Sequence, residues 1–310
     1  MQDPSRWRFF KRGWHLHRRT GKRLHHAYLT YIGMTLLVVL AIGLWGYIQA
    51  EQIEIIKLRH PMPGLEKPVR VMLLSDWHLG IHPISVSRAQ EIVTEVNFQK
   101  PDLIVMLGDY VDALTPYDLS IDQVRLALQG LQAPGGVFAV FGNHDGWYGR
   151  PKLRKLFKEL NFTLLENSHA SVALPGVSLM IVGVEDDRTG SPNLKRAFAG
   201  LSSTTPTLLL SHDPVVFTGA PDRANLLTLA GHTHGGQIAL PFFGPLTNMS
   251  RASNRWSEGW VDKPNSRMYI TTGLGTSILP IRLGTLAEMV ILTLSPLSPS
   301  PNTSAAPLHR

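Results

Sequence analysis

An α/β domain carried behind one membrane-spanning helix is the fold this sequence predicts. Three observations predict it. From Val69 to Leu160, short apolar runs alternate with helix-patterned segments, the pattern of strands and helices stacked in layers. Beyond Leu160 the strand-like runs become more frequent. Ahead of both, no charged residue occurs from Ala27 to Ala50.

Taken in order, residues 1–27 form a basic N-terminal arm with eight Lys/Arg and one acid, Asp3. Read alone, it is a disordered, solvated arm. Residues 28–50 follow as a transmembrane signal anchor. Leu29–Ile48 is nearly all apolar and about long enough to cross a bilayer as a helix. Tyr28 and Tyr31 flank one end, Trp45 and Tyr47 the other, as an aromatic belt would place them. A buried core helix is one competing reading and a cleaved signal peptide another. Against cleavage, the basic region is long and Ile48-Gln49-Ala50 is a poor small-residue site. Arg18-Arg19 lacks the apolar residues that closely follow a twin-arginine pair. Eight Lys/Arg precede the span, and only Lys57 and Arg59 closely follow it. The positive-inside rule then puts the N-terminus in the cytoplasm. The expected location is the inner membrane, single-pass, with the folded domain extracytoplasmic.

Residues 51–68 read as a linker with some strand character, ending in a Pro/Gly-rich stretch. The folded domain is expected over residues 69–294. Strands are predicted at Val69–Ser75, Leu103–Leu107 and Val137–Phe141, and helices at Ser85–Gln99, Asp118–Leu131 and Arg150–Leu160. Further strands are predicted at Val177–Val184, Thr207–Ser211, Leu226–Ala230, Met268–Thr272 and Met289–Leu294, with a helix at Asn193–Leu201. Ile81–Ser87, Trp147–Pro151 and Pro241–Trp260 read as irregular loops. Residues 295–310 are Ser/Pro-rich and read as a disordered tail.

The net charge of +7 and pI of about 9.7 first suggest a nucleic-acid binder. The excess sits in the arm: residues after 27 hold 22 basic and 22 acidic side chains. A neutral body carries no nucleic-acid footprint, and no nucleic-acid partner is expected. The absence of cysteine excludes disulfides and thiolate ligands.

The chemistry gathers where strands end, as it does in open α/β sheets. Five strand ends carry it: Ser75-Asp76-Trp77-His78, Gly108-Asp109-Tyr110-Val111-Asp112, Gly142-Asn143-His144-Asp145, Ser211-His212-Asp213 and Gly231-His232-Thr233-His234. Nine histidines follow the span, and five lie in these segments. Each has a bland reading, as a helix cap, a turn or an exposed loop. Five such coincidences at five strand ends are improbable together. Two histidines one residue apart diverge on an extended backbone, whereas a tight Gly-flanked turn lets them converge. Gly108, Gly142 and Gly231 suit the close backbone approach that a crowded ion site needs.

In this order the five motifs resemble the calcineurin-like metallophosphoesterases, over roughly residues 69–294. Pro101-Asp102-Leu103, Gly273-Leu274-Gly275-Thr276 and Pro280-Ile281-Arg282 resemble the membrane-associated bacterial, YaeI-like phosphodiesterase branch. Leu286-Ala287-Glu288 departs from it, since that branch often has Pro-Glu there. The resemblance implies a four-layer α/β/β/α sandwich with a two-metal site. Asp76, His78 and His234 would hold one divalent ion, Asn143, His212 and His232 the other, and Asp109 would bridge them. Mn, Fe, Zn and Ni all suit such ligands. His144 resembles the family's catalytic His, and Asp112 or Asp145 is expected to orient an imidazole. Arg282 and His82 have two readings, contact with substrate or a structural role, and the structural role is favoured for both. The implied reaction is hydrolysis of a phosphodiester or pyrophosphate by a metal-bridging hydroxide. The anchor makes a lipid-linked phosphoester attractive. A UDP-2,3-diacylglucosamine pyrophosphatase is the enzyme alternative, disfavoured by the charge asymmetry. A non-catalytic metal-binding scaffold is disfavoured because no ligand is missing.

Overall fold

The structure is a computed structural model that describes residues 5–114 and 119–297, with side chains from residue 25 onward. It separates into two compact units, residues 1–47 and 48–310. The described residues of the first unit lie in one helix, α1 (Ser5–Ala50), which ends within the first residues of the second. Its stretch His25–Ala50 is long and apolar enough to cross a membrane. Leu36, Leu37, Val38, Val39 and Leu40 are exposed, so this is not the buried helix of a soluble core. The stretch expected as a disordered arm lies partly in α1; its first four residues and most of its side chains fall outside the described residues. The expected disordered tail lies outside them beyond Leu297.

The second unit runs β1 (Ile53–Pro61), β2 (Val69–Leu74), α2 (Val86–Phe98), β3 (Leu103–Met106), α3 (Ile121–Leu128), β4 (Val137–Ala139), α4 (Asn143–Tyr148), α5 (Arg150–Glu159) and β5 (Thr163–Leu164). It continues with β6 (Ser168–Ser171), β7 (Met180–Gly183), α6 (Leu194–Ala197), β8 (Thr207–Leu210), β9 (Leu226–Ala230), β10 (Ala239–Leu240), β11 (Gly244–Pro245), β12 (Gly259–Asp262), β13 (Arg267–Ile270) and β14 (Ala287–Ser295). Two six-stranded sheets result, ordered β1-β14-β2-β3-β4-β5 and β12-β13-β9-β8-β7-β6, with β10-β11 a separate hairpin. β2 to β5 are parallel, as are β7, β8, β9 and β13.

Alternation along the strands builds the core. On β2 and β3, Val71, Leu73, Leu103 and Val105 enter a cluster with Leu208, Leu210, Leu227 and Leu229 of the facing sheet. Their neighbours Met72, Leu74, Ile104 and Met106 instead pack on Ile92, Val96 and Val124 of α2 and α3. A third cluster, including Leu209, Leu226 and Ala197, lies on the other face of the second sheet. Strands buried on both faces read as continuous apolar runs because successive side chains serve different layers.

Three expectations change. Residues 53–61, read as linker, form β1, which pairs in parallel with β14 from Ile53↔Ala287 to Pro61↔Ser295. Ile53 and Ile55 pack toward the helices and Ile56 and Leu58 toward the facing sheet, while charged Glu54, Lys57 and Arg59 suit an edge strand. Residues 143–148, read as turn and loop, form the short helix α4. The stretch Pro241–Trp260, read as irregular, includes β11 and the start of β12, and its first residues turn the β10–β11 hairpin.

Candidate metal centre

Every predicted ligand lies just beyond a strand's carboxyl end. Asp76 and His78 follow β2, Asp109 follows β3, Asn143 opens α4 after β4, His212 follows β8, and His232 and His234 follow β9. All seven are buried. Five of them, Asp76, His78, Asp109, His232 and His234, have positive φ between 45° and 71°. A non-glycine residue held there is strained by roughly 1–3 kcal/mol and concentrates at functional sites. These kinks let residues two apart, 76 with 78 and 232 with 234, both face the centre rather than diverge.

Two glycines permit the packing. A Cβ on Gly108 would lie 2.8 Å from the Gly142 Cα, and one on Gly142 would lie 2.7 Å from the Asp109 amide nitrogen. The β3 and β4 loops meet back to back, and nothing larger fits between them.

The donor atoms form two groups. In the first, His78 Nε2 is 3.1 Å from His234 Nε2, and His234 Nε2 is 3.6 Å from Asp76 Oδ1. In the second, His212 Nε2 is 3.1 Å from His232 Nδ1 and 3.2 Å from Asn143 Oδ1. Asp109 Oδ2 lies between them, 3.5 Å from His78 Nε2 and 3.1 Å from His212 Nε2. Nitrogen and oxygen ligands about 2.0–2.2 Å from one ion stand roughly 3–3.5 Å apart at tetrahedral or octahedral angles. The residues therefore fit a pair of divalent cations sharing Asp109.

The surroundings fix the rings. His212 Nδ1 donates to the Leu107 carbonyl at 2.8 Å, which turns Nε2 to the centre. His232 Nε2 faces the Met249 carbonyl at 3.3 Å and Asp213 Oδ2 at 3.5 Å, which turns Nδ1 inward. Burial first, then His78 and Arg282, hold His234 well below its ordinary range; burial and His212 lower His232. Both are thus neutral, as ligands must be. For His212, burial opposes the cation, but the charge and hydrogen bond of Asp109 outweigh it and raise its pKa well above the usual value. A proton there occupies the place a divalent cation suits.

His144 lies beside the ligands. Its Nδ1 is 3.1 Å from Asp112 Oδ1, and its amide donates to Asp109 Oδ1 at 2.9 Å. Burial opposes its cation; the Asp112 hydrogen bond and the Asp109 charge prevail and raise its pKa. Asp112 is also 3.8 Å from His78 Nδ1. Asp145, expected to orient an imidazole, instead accepts the backbone amides of Asp109, Tyr110 and Gly142 at 2.8–2.9 Å. It shapes the loops rather than a ring. Burial, then the Asp109 carboxylate, push it up to about 7.

Arg282 is fully buried and donates to the carbonyls of Thr272, Gly273 and Gly275 at 2.7, 3.1 and 2.6 Å. It pins the loop behind His234, the structural part expected of it. The backbone carbonyl of His82 accepts from Thr276 Oγ1, and His82 Nε2 lies 4.0 Å from Glu51 Oε1. Asp213 and the Met249 carbonyl, which orient His232, were not singled out in the sequence. Asp213 stands directly after a predicted ligand, and that adjacency was the available signal. Asp109, Asn143, His144, His232 and His234 floor a cleft of about 250 Å³.

A buried Asp/His/Asn centre of this geometry at the strand ends of a two-sheet α/β domain defines a metal-dependent phosphoric ester hydrolase. The chain belongs to the calcineurin-like phosphoesterase family, whose model matches residues 69–242. It is 32% identical over 227 residues to the uncharacterized metallophosphoesterase YkuE of Bacillus subtilis, covering 73% of this chain and 78% of that protein. It is 28% identical over 295 residues to a transmembrane protein with metallophosphoesterase domain of Danio rerio, covering 84% of this chain and 62% of that one. A solved dimetal phosphatase from Danio rerio aligns at 14% identity and a TM-score of 0.44, over 74% of this chain and 99% of that one; the assignment does not rest on it.

Proposed function

We propose that the chain is a membrane-anchored phosphodiesterase, or a pyrophosphatase of the same chemistry, working at a two-cation centre. Asp76, His78 and His234 hold one cation, Asn143, His212 and His232 the other, and Asp109 both. The observation that carries this is the Asp109 carboxylate 3.5 and 3.1 Å from one imidazole of each group. When bound, two divalent cations supply an acidified water nucleophile and neutralise charge on the phosphoryl oxygens. His144 holds the proton that the leaving oxygen needs. Asp112 against Nδ1 favours the doubly protonated imidazole, which leaves a proton on Nε2 for the leaving oxygen, and it fixes the orientation of the ring. Asp145 holds the loops that set Asp109 and Asn143 against each other.

The apolar clusters on both faces of each sheet support the four-layer reading of the fold. Membrane association is supported by the candidate span and by the transmembrane relative. An extracytoplasmic catalytic domain is supported by the eight Lys/Arg ahead of the span.

The test is turnover of bis-p-nitrophenyl phosphate by the full chain in detergent, stripped of metal and then given Mn, Fe, Zn or Ni. Metal-dependent cleavage lost in Asp109→Ala is the expected result. Cleavage that persists without metal, or in Asp109→Ala, contradicts it.

A further inference from the structure

The cleft has a polar floor but apolar walls: Trp147, Ile238, Leu246, Met249, Ile278 and Leu279. A phosphoryl group needs none of them. Next to it the β10–β11 hairpin carries Phe242 and Phe243 at its tip, 105% and 86% exposed. Phe242 is held at φ 67°, a strained conformation for a bulky side chain. Ile278 and Leu279 are also exposed, at 59% and 48%. Exposed apolar groups clustered beside a binding cleft mark an interaction surface. Arg188 lines the same cleft, and Arg255 shares a neighbouring hollow with Phe242, alongside the acid Glu258.

We propose that the hairpin tip and the Ile278–Leu279 turn form a lip that docks on an anionic bilayer, and that the cleft draws its phosphodiester from a lipid in that bilayer. Aromatic and aliphatic side chains flanked by arginine suit the interface of such a bilayer. Only Glu51 and Gln52 separate the candidate span from β1, so the tether between an anchored span and the folded domain is two residues long. In the reaction, water oxygen forms a new P–O bond and the ester P–O bond breaks; one proton from water is balanced by the proton the leaving alkoxide takes to become an alcohol, and the other stays with the product phosphomonoester or passes to solvent. The docking claim stands without the phosphodiesterase reading; the lipid-substrate claim rests on it.

The chain has no cysteine, so Phe242→Cys gives a single labelling site. Phe98→Cys, at an exposed residue ending α2 before β3, gives the comparison site, since the catalytic loops lie at the opposite end of that strand. The full-length variants, labelled with an environment-sensitive fluorophore, are reconstituted into phosphatidylcholine/phosphatidylglycerol vesicles. The label at 242 should shift to the blue and be quenched by nitroxide lipid, while the label at 98 stays open to aqueous iodide. Equal iodide quenching at both sites overturns the docking. So does the same blue shift in lipid-free detergent at rising protein concentration, which marks a contact between copies.

A Phe242→Ser/Phe243→Ser variant should cleave bis-p-nitrophenyl phosphate at the wild-type rate. It should lose roughly tenfold or more on vesicle phosphatidylglycerol. No cleavage of that lipid by wild type, or equal rates for both proteins, overturns the substrate claim. Loss of bis-p-nitrophenyl phosphate cleavage by wild type strikes the phosphodiesterase reading instead and leaves the label result standing.

Discussion

Asp109 touches both halves of the centre and accepts the His144 amide as well. Its removal is therefore not a local event. Asp109→Ala should lose both bound cations and all turnover together, read by metal analysis of the purified protein beside the diester assay. His144→Ala should keep its metals and lose about 10²–10⁴-fold in kcat, the usual worth of a positioned proton donor. Asp112→Asn acts through His144 and should cost about 10–100-fold with the metals retained. A loss of metal in either of these two variants would contradict the roles given. Gly142 supplies no ligand atom of its own, yet a Cβ there would collide with Asp109 Oδ1 and displace that carboxylate. Gly142→Ala should destabilise the fold by about 1–3 kcal/mol and weaken metal binding, measured by denaturant melts and metal titration.

β1 is where the molecule departs most from what its sequence suggests. Its residues alternate only loosely and include Glu54, Lys57 and Arg59, because an edge strand pairs on one side only. The interior strands β3, β8 and β9 were legible because both faces are buried and the runs are unbroken, and β2 because Arg70 alone interrupts its apolar run. β5, β10 and β11 are two residues each, too short for any periodicity. The proposed ligands stood out in the sequence because each follows a readable strand. The groups that aim His232 did not, since Met249 returns from a loop 17 residues later. If β1 belongs to the sheet, a chain starting after Pro61 should aggregate through the bare edge of β14, while one starting at Glu51 stays soluble; equal solubility would return residues 53–61 to the linker. His60, at the end of β1, is buried against Trp260 of the facing sheet at 5.7 Å between ring centroids. Neither ring nitrogen has a hydrogen-bond partner among the described residues. Burial, then Arg267, push it down to about 4. Below pH 6.5 the unfolded chain takes up this proton and the folded one does not. Stability is thus full above 6.5 and falls by about 3 kcal/mol as pH drops to 4. His60→Leu should remove that slope from urea melts run across the interval; an unchanged slope would place the proton uptake elsewhere.

In the folded unit, strand ends bring the Asp and His side chains together beneath a cleft with apolar walls. The basic pI reflects the arm, not the folded domain, so the phosphoester substrate is expected to be selected by the cleft rather than by long-range charge. The central claim is that two cations act together through Asp109. The most direct measurement adds one metal stepwise to the stripped full chain, and reads bound metal and bis-p-nitrophenyl phosphate turnover at each step. Turnover should stay low through the first equivalent and rise with the second. Full turnover at one equivalent, or saturation of binding there, would contradict the shared centre.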